Sequence, residues 1–421
     1  MKVLWITNGP IIARHLEMMG GGHAQSGGWL VAAYDAMKDC NDVELGVVAT
    51  YIGEEIKEAK DGNHTFYLLP CKKNATQYDP NLKENQDTWR EVIRRFQPDV
   101  IHIWGTEFAY GTCALMVAEG IPSVVYMQGM MSQIANHLDG QLTFGEKLRS
   151  TTIRSITKQE NYWREAKKYA KRVEVEKAML QRVDGVIVEN DWCAANCQIL
   201  SGGCKVFKSM LPINRVFAEY EWNYEECNKH SIFTNAGPQP IKGHHMLFKA
   251  LGIVKQKYPD LKVVIPGANY YFDSSLSRRL KRLAFHKHLL GLVRKYDLFD
   301  NLEFIGSQTQ RQMAENMAKC NVFVMPSAIE NHSSTLIEAM MVGAPTVSSN
   351  VGGVEEYYHN GENGLIYRYD EPEVLAAHII RLFEDTEFAK MIGVNAKEQT
   401  REARLSIDLQ KDFLTCYREL K

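Results

Sequence analysis

The sequence predicts an α/β protein built from two doubly wound domains, and three observations predict it. At 421 residues the chain is longer than one hydrophobic core usually serves. Short apolar runs that end in turn residues alternate with helix-period segments almost throughout. That alternation stops and then restarts across 213–230, where INRVFAEYEWNYEECNKH loses its periodicity.

The strands of the first half are expected at VLWIT (3–7), VELGVVA (43–49), HTFYLLP (64–70), DVIHIWG (99–105), SVVYMQG (123–129), GVIVEN (185–190) and KVFKSML (205–211). Helical stretches such as GWLVAAYDAM and TWREVIRRF lie between them. Apolar strands separated by helices make parallel units with right-handed crossovers. The second set is SIFTNAG (231–237), KVVIPGA (262–268), LEFIG (302–306), VFVMPS (322–327), PTVSS (345–349) and GLIY (364–367). The expected division is 1–215, 216–400 and a terminal stretch 401–421. In that last stretch the amphipathic LSIDLQKDFLTCYREL is expected to cross back to the first domain. Two such domains are expected to face a cleft lined by the carboxyl ends of both strand sets.

Bulk composition narrows the function. A formal net charge of −2 gives no global electrostatic case for nucleic-acid binding. The opening MKVLWITNG runs straight into a strand pattern, and no uninterrupted apolar run reaches membrane-spanning length. Nine cysteines show no paired metal-binding spacing, so reduced thiols in a cytoplasmic protein are expected, with no metal site.

The chemistry concentrates in PSAIENHSSTLIEAMMVGAPTVSSNVGGVEE, Pro326 to Glu356. A strand, VFVMPS, hands over there to a helix, STLIEAMMVG. Strand carboxyl end plus helix amino terminus suits a phosphate, because unpaired amides and the helix dipole point to one place. Ser333, Ser334 and Thr335 add hydroxyls. The same residues also fit simple helix caps, Thr335 with Glu338 or Ser327 with Glu330. Lys242, in GPQPIKGHH, follows another strand as a point charge for an oxyanion. Gly352 and Gly353 make a third such turn, where backbone can approach a ligand closely. Beside a diphosphate, Glu330 and Glu338 would be repelled. They are therefore expected to face hydroxyl groups on either side of it.

With these residues in view, the stretch 326–367 resembles the E-x7-E signature and glycine-rich tail of retaining GT-B glycosyltransferases of family four, also called group 1. IKGHHMLFKAL resembles the lysine-glycine element of that family, and NLEFIGSQTQRQMAENMAKCNVFVMPS its approach to the signature. GGGHAQSGGW and QPDVIHIWGTE match its first half more loosely. The resemblance implies two Rossmann-like domains in the GT-B arrangement, acceptor-binding over 1–215 and donor-binding over 216–400. It implies transfer of a sugar from a nucleotide-diphosphate sugar to a hydroxyl acceptor, with retention, no metal and no cofactor. The expected setting is polysaccharide or glycoconjugate synthesis.

Carried over residue by residue, the resemblance makes Glu330 and Lys242 catalytic. Glu330 would meet the transferred sugar, and Lys242 the charge growing on the leaving diphosphate. The donor would be held by Glu338 at the ribose, by Asn331, His332, Ser333, Ser334 and Thr335, and by backbone at Gly21, Gly22 and Gly306. By position alone, after the first, fourth and fifth strands, the acceptor is expected to meet Gly28, Glu107, Gln128 and His137. Two departures stand out. Where the family commonly carries an arginine shortly before the lysine, this chain reads Asn235 to Gln239 without one. Where many members end the fifth strand in His-Gly, it reads Gln128-Gly129.

Between Glu146 and Arg182, 11 basic residues face 5 acidic ones, with Tyr162, Trp163 and Tyr169 interleaved. Such a segment fits contact with an anionic membrane at its inner face, where a lipid-linked acceptor would be found; it equally fits a solvated helix face. A nucleotide-sugar epimerase or phosphorylase of the same double fold, and a non-catalytic sugar-nucleotide-binding scaffold, are alternative readings. A dinucleotide-dependent oxidoreductase is disfavoured, because NGPIIARHLEMMGGGHAQSGG lacks the compact glycine spacing.

Overall fold

The structure, a computed structural model, describes residues 1–21, 28–71, 77–157, 161–234, 237–269 and 282–421. Two compact units divide the chain. The first comprises Met1–Ser132, Tyr169–Pro212 and Ser406–Lys421; the second, Gln133–Lys168 and Ile213–Leu405.

Among the described residues the first unit carries eight strands: β1 (Lys2–Ile6), β2 (Glu44–Ile52), β3 (Lys57–Asp61), β4 (His64–Cys71), β5 (Val100–Trp104), β6 (Ser123–Tyr126), β7 (Gly185–Val188) and β8 (Lys205–Lys208). They are ordered β3-β4-β2-β1-β5-β6-β7-β8. Successive β1 side chains enter opposite cores. Val3 and Trp5 join one cluster, Leu4 and Ile6 the other. That two-sided burial is why the strand reads as an unbroken apolar run rather than an alternating one. All seven strands expected in this half form and pair in parallel with a neighbour. The eighth, β3, was not expected. Its sequence, KEAKD, is polar and mostly exposed, and it pairs antiparallel with β4 at the sheet edge. An edge strand with charged side chains has no apolar pattern to betray it.

The second unit adds β9 (Ser231–Phe233), β10 (Lys262–Ile265), β11 (Leu302–Phe304), β12 (Val322–Met325), β13 (Thr346–Ser349) and β14 (Leu365–Tyr367), ordered β11-β10-β9-β12-β13-β14 and all parallel. Strand order reverses direction between β9 and β12, which pair through Ile232 and Phe233. In the first sheet the reversal lies between β1 and β5. Loops leaving the carboxyl ends of strands at such a reversal diverge to opposite faces and open a crevice, the favoured ligand position in open α/β sheets.

Two boundaries differ from the expectation. Gln133–Lys168, expected in the first domain, belongs to the second unit. Leu142 is buried in the second core, and the Gly140 carbonyl lies 2.7 Å from His245 Nε2 and accepts from the Tyr369 hydroxyl at 3.0 Å. The helix Thr386–Leu405 ends the second unit, and the chain changes unit at Ser406. The final helix, Leu409–Leu420, then buries Leu409, Phe413, Cys416 and Tyr417 in a core of the first unit. The Tyr417 hydroxyl accepts from Trp5 Nε1 at 3.1 Å and lies 2.6 Å from His102 Nδ1.

Candidate functional site

At the second sheet's reversal, the loop after β9 carries Lys242 and the loop after β12 carries Glu330. Lys242 Nζ donates to Glu330 Oε1 at 2.6 Å, across 88 residues of sequence. Both side chains keep some exposure, 35% for the lysine and 15% for the glutamate. They therefore belong to an open pocket and not to the core. That pocket, of about 230 Å³, is lined by Lys242, Glu330, His332 and Ser333–Thr335, over the end of β12. The lysine and glutamate, expected on different parts of a donor, are thus direct partners. An ammonium has three donors, so Lys242 can hold Glu330 and still donate to a phosphate oxygen.

The helix Ser334–Val342 starts at this pocket, capped by Ser333, whose Oγ accepts from Leu336 N at 3.4 Å. Neither cap suggested by the sequence forms that start. The first amides of the helix have no intrahelical carbonyl to meet. Its positive dipole end therefore faces the same space as the lysine.

The loop Pro326–Ser333 is locked from four other stretches of the chain. Ala328 N donates to the Ile241 carbonyl at 2.7 Å, and Ser349 Oγ to the Ser327 carbonyl at 2.6 Å. Ser333 N donates to the Tyr357 hydroxyl at 3.2 Å. The Arg404 guanidinium lies 2.6 Å from His332 Nε2, and since a guanidinium only donates, that nitrogen accepts. Gly243 and Gly352 complete the lock by close approach. A Cβ on Gly243 would fall 1.6 Å from the Pro326 carbonyl oxygen, and one on Gly352 1.8 Å from that of Glu330. The space at Gly352, expected to admit a ligand, is filled by the backbone of Glu330 itself.

Asn331 and Glu338 lie outside the lining of this pocket; Asn331 is buried. Glu338, one turn into the helix, keeps part of its surface exposed, yet burial pushes its carboxyl up to about 8. A folded-state value above the ordinary 4.5 makes protonation stabilising. That contribution is full below the ordinary value and drains as pH rises toward and through 8. Glu338→Gln is therefore expected to melt above the parent at pH ~8.5 and level with it near pH ~4.5. Thermal melts without nucleotide check this, and a pH-independent difference refutes it.

The other expected positions are spread more widely. Gly21 closes a short helix, its own N–H donating to the Leu16 carbonyl at 2.9 Å. Gly22 lies outside the described residues. Gly28 opens the helix Gly28–Met37. Gly306 exchanges both backbone hydrogen bonds with Gly267, at 2.8 and 3.2 Å, so its amide, expected to help hold the donor, is already paired. His137 sits in the second unit, its Nδ1 2.8 Å from the Gln133 carbonyl of its own helix. Gln128 follows β6.

Glu107 stands at the reversal of the first sheet. Asn8, after β1, donates its Nδ2 to Glu107 Oε2 at 2.6 Å. Burial pushes the Glu107 carboxyl above its ordinary range. Bonds from its own amide and from Asn8 oppose the rise, the nearby Glu176 adds to it, and Arg172 offsets it. Glu176, fully buried, accepts from Thr106 Oγ1 (2.9 Å) and from the amides of Met131 (2.7 Å) and Ser132 (2.9 Å). It ties the loops after β5 and β6 together.

Sequence reasoning missed Tyr357, Arg404 and Gly243. Only for Gly243 was there a local signal, a glycine directly after Lys242 and before a helix.

Residues 229–399 match the family described as glycosyl transferases group 1. Spore coat protein SA of Bacillus subtilis is 29% identical over 173 residues, 41% of this chain and 43% of that protein. N-acetyl-alpha-D-glucosaminyl L-malate synthase of Bacillus anthracis is 28% identical over 129 residues, 31% of this chain and 33% of that one. The matches thus span less than half the length of these relatives. Among solved structures, sucrose-phosphate synthase from Thermosynechococcus elongatus superposes with a TM-score of 0.71 at 16% identity, covering 100% of this chain and 99% of that one. Anabaena HepE in complex with UDP and glucose gives 0.63 at 18%, with the same coverage. The fold is that of the GT-B glycosyltransferases.

Proposed function

We propose, on the premise that residues 229–399 are a group 1 glycosyltransferase domain, that this chain moves a sugar with retention from a nucleotide-diphosphate sugar to a hydroxyl acceptor. The observation that carries the reading is the Lys242–Glu330 pair beside a helix start, at the strand-order reversal of the second sheet. A diphosphate there meets an ammonium and a positive dipole end together. The negative charge that develops on it as the glycosidic bond breaks is stabilised by groups already in place. Glu330, held by Lys242 and by its clamped backbone, receives the hydroxyls of the departing sugar. Glu338 takes the ribose.

Retention is assigned to a front-face displacement, in which a donor phosphate oxygen accepts the acceptor hydroxyl's proton. The leaving group is already activated, so the carboxyl pair a retaining glycosidase needs is not required. The protein contributes position and charge, without forming a bond to the sugar. The acceptor belongs to the first unit near Glu107, whose raised affinity for a proton suits hydrogen bonding to a hydroxyl.

A panel of nucleotide sugars, each with and without candidate acceptors, tests the reading by nucleotide release. The UDP in the HepE structure puts UDP-sugars first in that panel. Acceptor-dependent release of UDP or GDP is expected. Binding without turnover would point to a scaffold, and isomerised donor without release to an epimerase.

A further inference from the structure

The segment Phe144–Lys168 of the second unit exposes large apolar side chains that no core explains. Phe144 is 69% exposed, Leu148 58%, Ile153 63%, Ile156 67% and Trp163 47%. Phe144 and Leu148 lie four apart on the helix Phe144–Arg149, and Ile153 and Ile156 three apart on the helix Ile153–Thr157. Each pair therefore shares a helix face. The Phe144 and Trp163 rings meet edge to face at 6.4 Å, joining the first short helix to the start of the helix Tyr162–Leu180.

Basic residues outnumber acidic ones along the segment. The segment holds seven basic and three acidic residues. Of the acidic ones, Glu146 is held by the Thr143 amide and hydroxyl and faces Lys249 at 3.5 Å, and Glu165 pairs with Lys168; Glu160 lies outside the described residues. Arg149, Arg164 and Lys167 are exposed. Of the basic run expected from the sequence to meet a membrane, Lys168 and Lys171 are exposed as well, and Arg172 is half-buried. Tyr162 packs against the second core, and Arg172 stacks on Tyr169 at 4.8 Å and on Phe108 at 5.4 Å. Four of the five exposed apolar side chains lie on the two short helices.

We infer that Phe144, Leu148, Ile153, Ile156 and Trp163, with the exposed Arg149 and Lys167 of the same segment, form a docking surface for an anionic lipid bilayer. Apolar side chains enter the acyl boundary while the guanidinium and ammonium groups stay at the headgroups. A protein partner of ordinary chemistry would be served by fewer exposed aliphatic groups and a polar rim of mixed sign. The surface is independent of the sugar-transfer reading, so its test needs no donor.

The full chain is sedimented with vesicles of phosphatidylcholine alone and of phosphatidylcholine with phosphatidylserine, at low and high salt. Wild type is expected to bind the anionic vesicles, at least tenfold more weakly in high salt. The double variant Phe144→Ser, Ile156→Ser is expected to lose at least tenfold in binding with an unchanged melting temperature, both positions being exposed. Arg149→Glu with Lys167→Glu is expected to lose anionic selectivity. Absence of vesicle binding by wild type, or equal binding by wild type and the serine variant, overturns the inference. So does concentration-dependent self-association that the serine variant abolishes while vesicles bind neither.

Discussion

Gly243→Ala and Gly352→Ala are each expected to lower donor turnover at least about 100-fold and to destabilise the chain by several times the cost of an ordinary left-handed glycine. Both residues have positive φ, 73° and 56°. An added methyl must displace backbone there, the Pro326 carbonyl in one case and the Glu330 carbonyl in the other. A carbonyl cannot step aside as a flexible side chain does, so the Glu330 loop moves as a body and the carboxyl leaves Lys242. Gly361→Ala is the control. Its φ is 79° and nothing lies within 4 Å of its added Cβ, so it carries the conformational strain alone, about 1 kcal/mol. Urea unfolding and nucleotide release, measured on all three, separate the two effects. If Gly352→Ala behaves like Gly361→Ala, the close approach does not position Glu330.

Glu330→Gln is expected to cut turnover about 100-fold while nucleotide affinity stays within about threefold, since it removes charge near the sugar and leaves the helix start intact. Lys242→Ala is expected to weaken both, because the lysine serves the diphosphate before and during bond breaking. Calorimetric titration with the nucleotide diphosphate, beside steady-state kinetics, reads the split. Matching losses of affinity and turnover in Glu330→Gln would place the carboxyl on the nucleotide instead of the sugar.

Much of this site was legible as sequence because its parts are local. A run such as VFVMPS followed by STLIEAMMVG is strand then helix by its own period, and the loop between them presents amides whatever surrounds it. The thirteen expected strands share that property. Lys242 and Glu330 could each be picked out beside a strand end, but not as partners.

What tertiary structure decided is every relation between distant segments. The Lys242–Glu330 hydrogen bond joins residues 88 apart, and the His332–Arg404 contact residues 72 apart. Gly352 reads as an ordinary turn glycine until the Glu330 carbonyl occupies its side-chain space. The move of Gln133–Lys168 to the second unit rests on Leu142 and Gly140 finding a distant core and distant side chains. Hydrophobic period records which face of an element is buried, and local propensity records how the chain turns. Neither records which other element does the burying, so the sequence alone determined two doubly wound sheets and the chemistry at their strand ends, and packing alone determined the clamp that aims Glu330.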